Sequence, residues 1–239
     1  MKKILFISDL HLQASQPQAT HAFLGLLKDH QDVEALYILG DFFEAWIGDD
    51  DKNDYHQSII DAMKAATKSG LNIYFLHGNR DFLIGKKFLQ ETGAQFLPDE
   101  TVVNLYGTPT LLMHGDTLCT LDYAYLRSRK FMRNPLVQKI FLCLPIAWRR
   151  KIADKMRADS NKHIKMLTDE MMDVTQEAVE NKMREHHVQV LIHGHTHRPD
   201  MHRFVLENIP ATRIVLAAWH DRGSVLVWDE AGNYSFITL

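Results

Sequence analysis

The chain has 239 residues, a formal net charge of −3 and 46% hydrophobic residues. That charge excludes a protein built throughout as a basic nucleic-acid binder, and no stretch approaches the roughly 18–20 apolar residues that span a bilayer. The length fits one large domain or a domain carrying an insertion. In chain order, residues 4–7 read as a buried strand, 19–29 as an amphipathic helix, 35–39 as a strand, 55–69 as a second helix, and 73–76 and 110–113 as further strands. Strands alternating with helices predict an α/β core. From about 120 to 185 the only periodicity is helical, interrupted at Asn134-Pro135 and Leu144-Pro145. A strand resumes at 188–192. Beyond Pro210 the runs 212–218, 223–228 and 233–238 predict a β-meander, with turns at Asp221-Arg222-Gly223 and Ala231-Gly232-Asn233. The expected organisation is a core formed by residues 1–119 and 186–239, with a helical insertion over 120–185.

The N-terminus enters a strand pattern at once, without the basic start, longer apolar run and small-residue cleavage site of a signal peptide, so a cytoplasmic protein is expected. Cys119 and Cys143 have no metal-ligand spacing and are expected to be small buried or half-buried thiols.

Charge separates the insertion from the rest. Residues 123–165 hold twelve basic and two acidic residues, a net of +10, which leaves −13 for the remainder. Within this basic segment lies the apolar stretch 140–148, containing Phe141, Leu142 and Trp148. Basic residues flanking large apolar ones fit an element that meets anionic lipid headgroups. A lid with solvated charges and a phosphate-contacting nucleic-acid surface are the other readings of the same pattern.

Five short blocks carry metal-ligand residue types just after apolar runs: Asp9-Leu10-His11, Gly40-Asp41, Gly78-Asn79-Arg80-Asp81, His114-Gly115-Asp116 and Gly194-His195-Thr196-His197. Strand ends of an α/β sheet converge on a crevice. Carboxylate and amide oxygens mixed with imidazole nitrogens suit ions such as Mn²⁺, Fe²⁺ or Zn²⁺. The set is too large for one tetrahedral site and predicts two metals sharing a bridging carboxylate, as in phosphoryl transfer. Asp9 and His11, and likewise His195 and His197, would point to one side of an extended chain. Asp41 follows a glycine that lets the backbone approach closely, and its two oxygens can bridge. Asn79 adds a neutral oxygen to a site that must admit a phosphate. Asp49-Asp50-Asp51 reads as a solvated acidic loop, and His193 as a structural histidine.

The five blocks, in this order, resemble those of the calcineurin-like metallophosphoesterases: D-x-H, G-D, G-N-[HR]-D, H-G-[DH] and G-H-x-H. The resemblance implies a sandwich of two mixed β-sheets flanked by helices, within the α/β (α+β) class, and a hydroxide activated by two metals that attacks phosphorus in line. It also implies the ligand division: Asp9, His11, Asp41 and His197 for one ion, and Asp41, Asn79, His114 and His195 for the other. Many members carry a histidine after the Asn of the third block, read as a general acid; this chain has Arg80. Arginine does not donate a proton at ordinary pH, so Arg80 is expected to clamp charge, which favours a phosphoanhydride over an alkyl ester.

Longer stretches, residues 37–50, 77–82, 113–119 and 192–199, closely resemble the UDP-2,3-diacylglucosamine pyrophosphatases of the lipid A pathway. That resemblance implies an acylated UDP-sugar lipid as substrate, split into 2,3-diacylglucosamine 1-phosphate and UMP. It further implies two divalent ions, Mn²⁺ preferred, and a helical cap that accepts acyl chains at the inner-membrane surface, with no nucleic acid or protein partner. A metallophosphoesterase acting on a soluble nucleotide pyrophosphate is the alternative. Catalytic roles carry over to Asn79 and Arg80. Substrate contacts carry over to Asn79, Arg80, Asp122, Tyr125, Arg157, Ser160 and His195. Where the family has a polar residue and a lysine further along the cap helix, this chain has Ile164 and Leu167, so Lys165 or Lys162 is expected to substitute.

Overall fold

The computed structural model describes residues 2–51, 53–164, 166–168, 171–219 and 223–239. Two sheets face each other. The first is ordered β11-β10-β1-β2-β3-β4, from β1 (Lys3–Ile7), β2 (Val33–Leu39), β3 (Asn72–Leu76), β4 (Gln95–Leu97), β10 (Ser224–Asp229) and β11 (Tyr234–Thr238). The second is ordered β5-β6-β7-β9-β8, from β5 (Glu100–Leu105), β6 (Thr108–Met113), β7 (Val190–His193), β8 (Asp200–Leu206) and β9 (Ile209–Val215). Strands β1 to β4 run parallel, as do β6, β7 and β9, while β5, β8, β10 and β11 pair antiparallel. Both sheets are therefore mixed.

Alternation along β1 explains the layering. Ile4 and Phe6 join Tyr37, Leu39, Leu112, Ile192 and Ile214 in the core between the sheets. Leu5 and Ile7 point the other way. They pack with Phe23 of α1 (Pro17–Lys28), Ile59 and Met63 of α2 (Asp54–Lys68), and Phe88 of α3 (Lys86–Thr92). A strand covered on both faces needs a continuous apolar run, which is what residues 4–7 and 35–39 supply. Helix α2 starts where the Asn53 side chain accepts a hydrogen bond from the His56 amide, and Pro17 opens α1.

The 120–185 stretch folds into α4 (Tyr123–Met132), α5 (Pro135–Leu142), α6 (Ile146–Ile164) and α7 (Gln176–Glu185). Helix α7 stands apart from the other three. Its Val179 and Met183, four residues apart, are fully buried against Leu111, Met113 and Leu191 on the outer face of the second sheet. This helix thus packs on the outer face of the second sheet, while α4 to α6 line the cavity beside the strand ends.

Several sequence expectations need correcting. The C-terminal runs form no meander: β9 belongs to the second sheet, while β10 and β11 complete the first, so the chain changes sheets between them. Residues 221 and 222 of the expected turn lie outside the described residues; the other turn is closed by Asp229, whose carboxylate accepts from the amides of Ala231 and Asn233. Cys119 is buried, but Cys143 is exposed. The Asp49–Asp51 loop, expected to be merely solvated, also docks, although Asp50 itself stays exposed. Asp49 accepts from the amides of Gly85, Lys87 and Phe88, supplying the N-terminal cap of α3 from a distant loop. Asp50 pairs with Arg149 and Asp51 with Arg150, fastening α6 to the core.

Candidate metal centre

All five blocks follow the C-terminal ends of β1, β2, β3, β6 and β7. Because those strands run parallel within each sheet, their ends share one edge of the sandwich. The blocks meet there through close backbone approach. A Cβ on Gly78 would lie 2.2 Å from the amide nitrogen of Asp41, and one on Gly194 would lie 2.2 Å from a carboxylate oxygen of Asp9. Only glycine fits at either point.

Asp9, His11, Asp41, His195 and His197 have φ of 53°, 48°, 51°, 68° and 56°. The i, i+2 pairs are therefore not extended, contrary to the sequence argument. Each residue turns through the left-handed region, at a cost of about 1–2 kcal/mol, and the turns aim the side chains inward. Such strain concentrates at functional sites. Backbone bonds hold the loops in register: the Asp9 and His11 amides donate to the carbonyls of Gly40 and Asp41.

Two groups of donor atoms result. His11 Nε2 and His197 Nε2 are 3.3 Å apart, His197 Nε2 is 3.4 Å from Asp9 Oδ1, and His11 Nε2 is 3.9 Å from Asp41 Oδ2. On the other side, Asp41 Oδ1 lies 3.7 Å from His114 Nε2, and Asn79 Oδ1 sits 2.9 Å from His114 Nε2 and 3.0 Å from His195 Nδ1. The two oxygens of Asp41 thus face different groups. His114 Nδ1 donates to the Leu39 carbonyl, which leaves Nε2 as the donor atom.

The donors fit divalent ions. Asp9, His11 and His197 can each offer an atom within 4.8 Å of the others, as can Asp9, Asp41 and His114. Asp9 Oδ1 is buried and accepts no well-formed hydrogen bond, its near neighbour being His197 Nε2 at 3.4 Å, while its Oδ2 accepts from Ser8 Oγ and the His195 amide. A buried carboxylate oxygen without a full hydrogen bond, aimed into a cluster of imidazoles, suits a cation. The electrostatics agree. Burial opposes a charged His114, but Asp41, Asp9 and Asp116 outweigh it and push the imidazole up to about 9. Burial likewise opposes a charged Asp9, yet His197, His114 and His11 hold it far below the usual carboxylate range. His195 is lowered by burial and by His114.

Residues around the donors brace them. Asp81 is fully buried and accepts from the amides of Phe42 and Gly78, joining the second and third blocks; burial and Asp41 push its pKa up to about 6. His193 packs as expected of a structural residue: it is fully buried, beside Arg213, and burial with that neighbour pushes its pKa down to about 3.

Helices α4 to α6 cover a cavity of about 630 Å³ that opens on this centre, within the usual range of small-molecule sites, about 300–1,000 Å³. Its polar lining includes Glu44, Asn79, Arg80, Arg157, Ser160 and His163. Its apolar lining includes Trp46, Phe82, Phe131, Val137, Phe141 and Met156. Of the predicted substrate residues, Asn79, Arg80, Tyr125, Arg157 and Ser160 line this cavity. His195 stays among the donor atoms. Asp122 is buried: it caps α4 by accepting from the Tyr125 amide and lies 3.0 Å from His163 Nε2. The Tyr125 hydroxyl donates to Asp116, which also receives Arg129. Lys165 lies outside the described residues, and Lys162 is exposed beside Asp159.

Sequence reasoning passed over Glu44 and His163. Glu44 lies 3.2 Å from His11 Nδ1, accepts from Arg80 Nη1 at 2.7 Å, and lies 3.5 Å from Arg157 Nε. Burial opposes its charge, but His11, Arg80 and Arg157 outweigh it and lower its pKa. Its place three residues after Asp41 is the only local signal, because all three partners are distant in sequence or on the cap.

A two-sheet sandwich that gathers carboxylate, amide and imidazole donors at its strand ends defines a metal-dependent phosphoesterase. A family model described as calcineurin-like phosphoesterase matches residues 2–199. Curated relatives include the UDP-2,3-diacylglucosamine hydrolases of Serratia proteamaculans, 52% identical, and of Escherichia coli O7:K1, 50% identical, each match covering 93% of both chains. The Pseudomonas aeruginosa protein of that name is 50% identical over 96% of both chains. A solved archaeal phosphodiesterase shares the fold at a TM-score of 0.51 and 14% identity, over 99% of both chains. The chain belongs to the calcineurin-like phosphoesterase family, and within it to the UDP-2,3-diacylglucosamine hydrolases.

Proposed function

We propose that this chain hydrolyses the pyrophosphate bond of UDP-2,3-diacylglucosamine, giving 2,3-diacylglucosamine 1-phosphate and UMP in lipid A biosynthesis. The observation that carries this reading is that one cavity beside the donor cluster is lined both by apolar residues such as Phe131 and Phe141 and by Asn79 and Arg80. A soluble nucleotide has no use for so large an apolar lining.

Asp9, His11, Asp41 and His197 would hold one divalent ion, and Asp41, Asn79, His114 and His195 the other, with Mn²⁺ as the preferred metal. When bound, the ions supply Lewis acidity and an activated water. The chain's own residues do the rest. Arg80 presents a fixed positive charge to the phosphoryl oxygens as charge develops. Asn79 places a neutral group where a second carboxylate would repel the diphosphate. Arg157 and Ser160 bring polar groups down from α6 onto the sugar phosphate. Phe131, Val137, Phe141 and Met156 exclude water and take the acyl chains. The leaving phosphate needs little protonation, so a site with no acid at position 80 suffices.

The same helices serve as the docking face. Among the described residues no helix is long and apolar enough to cross a membrane. Leu136, Ile140 and Trp148 nevertheless stand 66%, 60% and 63% exposed, amid exposed Lys139, Arg150, Lys151 and Lys155. Each basic residue near an anionic surface contributes about 1 kcal/mol, so the protein binds reversibly to the cytoplasmic face of the inner membrane.

Phosphorus NMR of products formed in ¹⁸O water tests the reaction, with the substrate presented in anionic vesicles. UMP and the sugar 1-phosphate should appear in equal amounts, ¹⁸O should enter only one of them, and added salt should slow release. Intact substrate, in vesicles and in detergent alike, would rule the reaction out; turnover in vesicles that is indifferent to salt would remove the membrane part.

A further inference from the structure

Glu44 occupies an unusual position among the charged groups of the site. It touches the donor cluster, the charge clamp and the cap at once: His11 Nδ1 at 3.2 Å, Arg80 Nη1 at 2.7 Å and Arg157 Nε at 3.5 Å. The backbone builds this placement. Phe43, fully buried, bridges to Leu12, and the Glu44 amide donates to the Leu12 carbonyl, which fixes Glu44 beside His11. The Trp46 amide donates to the Arg80 carbonyl, which fixes the clamp on the other side. The Glu44 side chain is only 16% exposed, so it is neither a solvated surface group nor free to swing away.

We propose that Glu44 is a positioning residue that couples the cap to the metal centre. Toward His11 its carboxylate lies 3.2 Å from Nδ1, a buried ring nitrogen that makes no hydrogen bond and is opposite the one pointing at His197 and Asp41, so charge attraction at Nδ1 would keep Nε2 turned toward the metal position. Toward Arg80 and Arg157 it is a stand-in for the substrate. It holds both guanidiniums at the cavity wall before a diphosphate arrives. The diphosphate, carrying more negative charge than one carboxylate, then draws both arginines onto itself, one from the core and one from α6.

The substrate half of this inference rests on the functional reading above; the metal half does not. The test is Glu44→Gln, which keeps the shape and removes the charge. Titration with Mn²⁺, read as free Mn²⁺ by electron paramagnetic resonance, should show affinity lowered about 10–100-fold, the usual cost of losing a partner behind a ligand. With Mn²⁺ saturating, kcat should fall at least about tenfold, the order of loss expected when a transition-state group is misplaced. KM should not rise, because the competitor for both arginines has gone. Native Mn²⁺ affinity would overturn the orienting role, and a raised KM with native kcat would make Glu44 an ordinary substrate contact. Should Glu44→Gln fail to fold, Glu44→Asp decides: it retains the charge one methylene further back, and its Mn²⁺ affinity should be measurably weakened, so native affinity would again overturn the proposal. A wild-type enzyme that binds Mn²⁺ but leaves the UDP-sugar intact would sink the functional reading while the Mn²⁺ titration still decided the role of Glu44.

Discussion

Arg80 stands where many relatives of the wider family carry a histidine, and its surroundings suit a guanidinium. Its backbone amide donates to Asp41, its Nη1 donates to Glu44, and its side chain, 23% exposed, lines the cavity. A group so placed stabilises charge without moving a proton. Arg80→Ala should therefore lower kcat about 10²–10³-fold, the range for losing a preorganised donor, with the Mn²⁺ content unchanged. Arg80→His should not restore it. Steady-state kinetics on the UDP-sugar check both, and a histidine variant equal to wild type would defeat the leaving-group argument. At this scale the sequence shows residue types far better than geometry. The donor residues stand out because aspartate, asparagine and histidine recur after apolar runs. The left-handed turns at Asp9, His11 and Asp41 leave no mark, since nothing local distinguishes them from extended chain. Glu44 is hidden for a related reason: a carboxylate between Phe43 and Ala45 acquires meaning only when His11, Arg80 and Arg157 arrive from elsewhere.

Among the elements, α6 depends on the loop at residues 47–51. Arg149 is 1% exposed, donates to the Ile47 carbonyl and pairs with Asp50, whose own side chain is 58% exposed. It is a docking residue, so charge reversal at 149 would probe the fold and not the membrane face. The asymmetry of burial predicts an asymmetry of cost. Asp50→Asn strands a buried guanidinium and should destabilise by about 2–3 kcal/mol, below the usual 3–5 because solvent screens the exposed partner. Arg149→Met leaves an aspartate that water can reach, and should cost less. Urea unfolding of both variants checks the order; the reverse order would contradict this account of α6 docking. The elements that escape a sequence reading share a cause. Strand β4 has three residues and α3 seven, too few to show a period. Edge strand β8 alternates weakly because little of it is buried. The supposed meander fails because a tight run of strands carries no sign of which sheet each joins.

As a whole the molecule divides its charge: +10 over residues 123–165 and −13 elsewhere. The acidic part includes the carboxylates that gather cations, and the basic part is the helical layer above them. This division is plain in the sequence, as are the five blocks and the helical character of the insertion. The cavity is not, because it exists only where Trp46 and Phe82 of the core meet Phe131, Val137 and Phe141 of the cap. Its mixed polar and apolar lining forms the basis of the functional reading.

The most direct test of that reading compares kcat/KM for UDP-2,3-diacylglucosamine with that for the deacylated UDP-sugar, in the wild type and in Phe141→Asp. Burying apolar chain at about 0.8 kcal/mol per methylene predicts a wild-type preference for the acylated substrate of at least 10²-fold. Phe141→Asp should erase most of that preference while leaving the deacylated rate nearly unchanged. Equal rates on the two substrates in the wild type, or equal losses on both in the variant, would contradict an acyl-chain site under the cap.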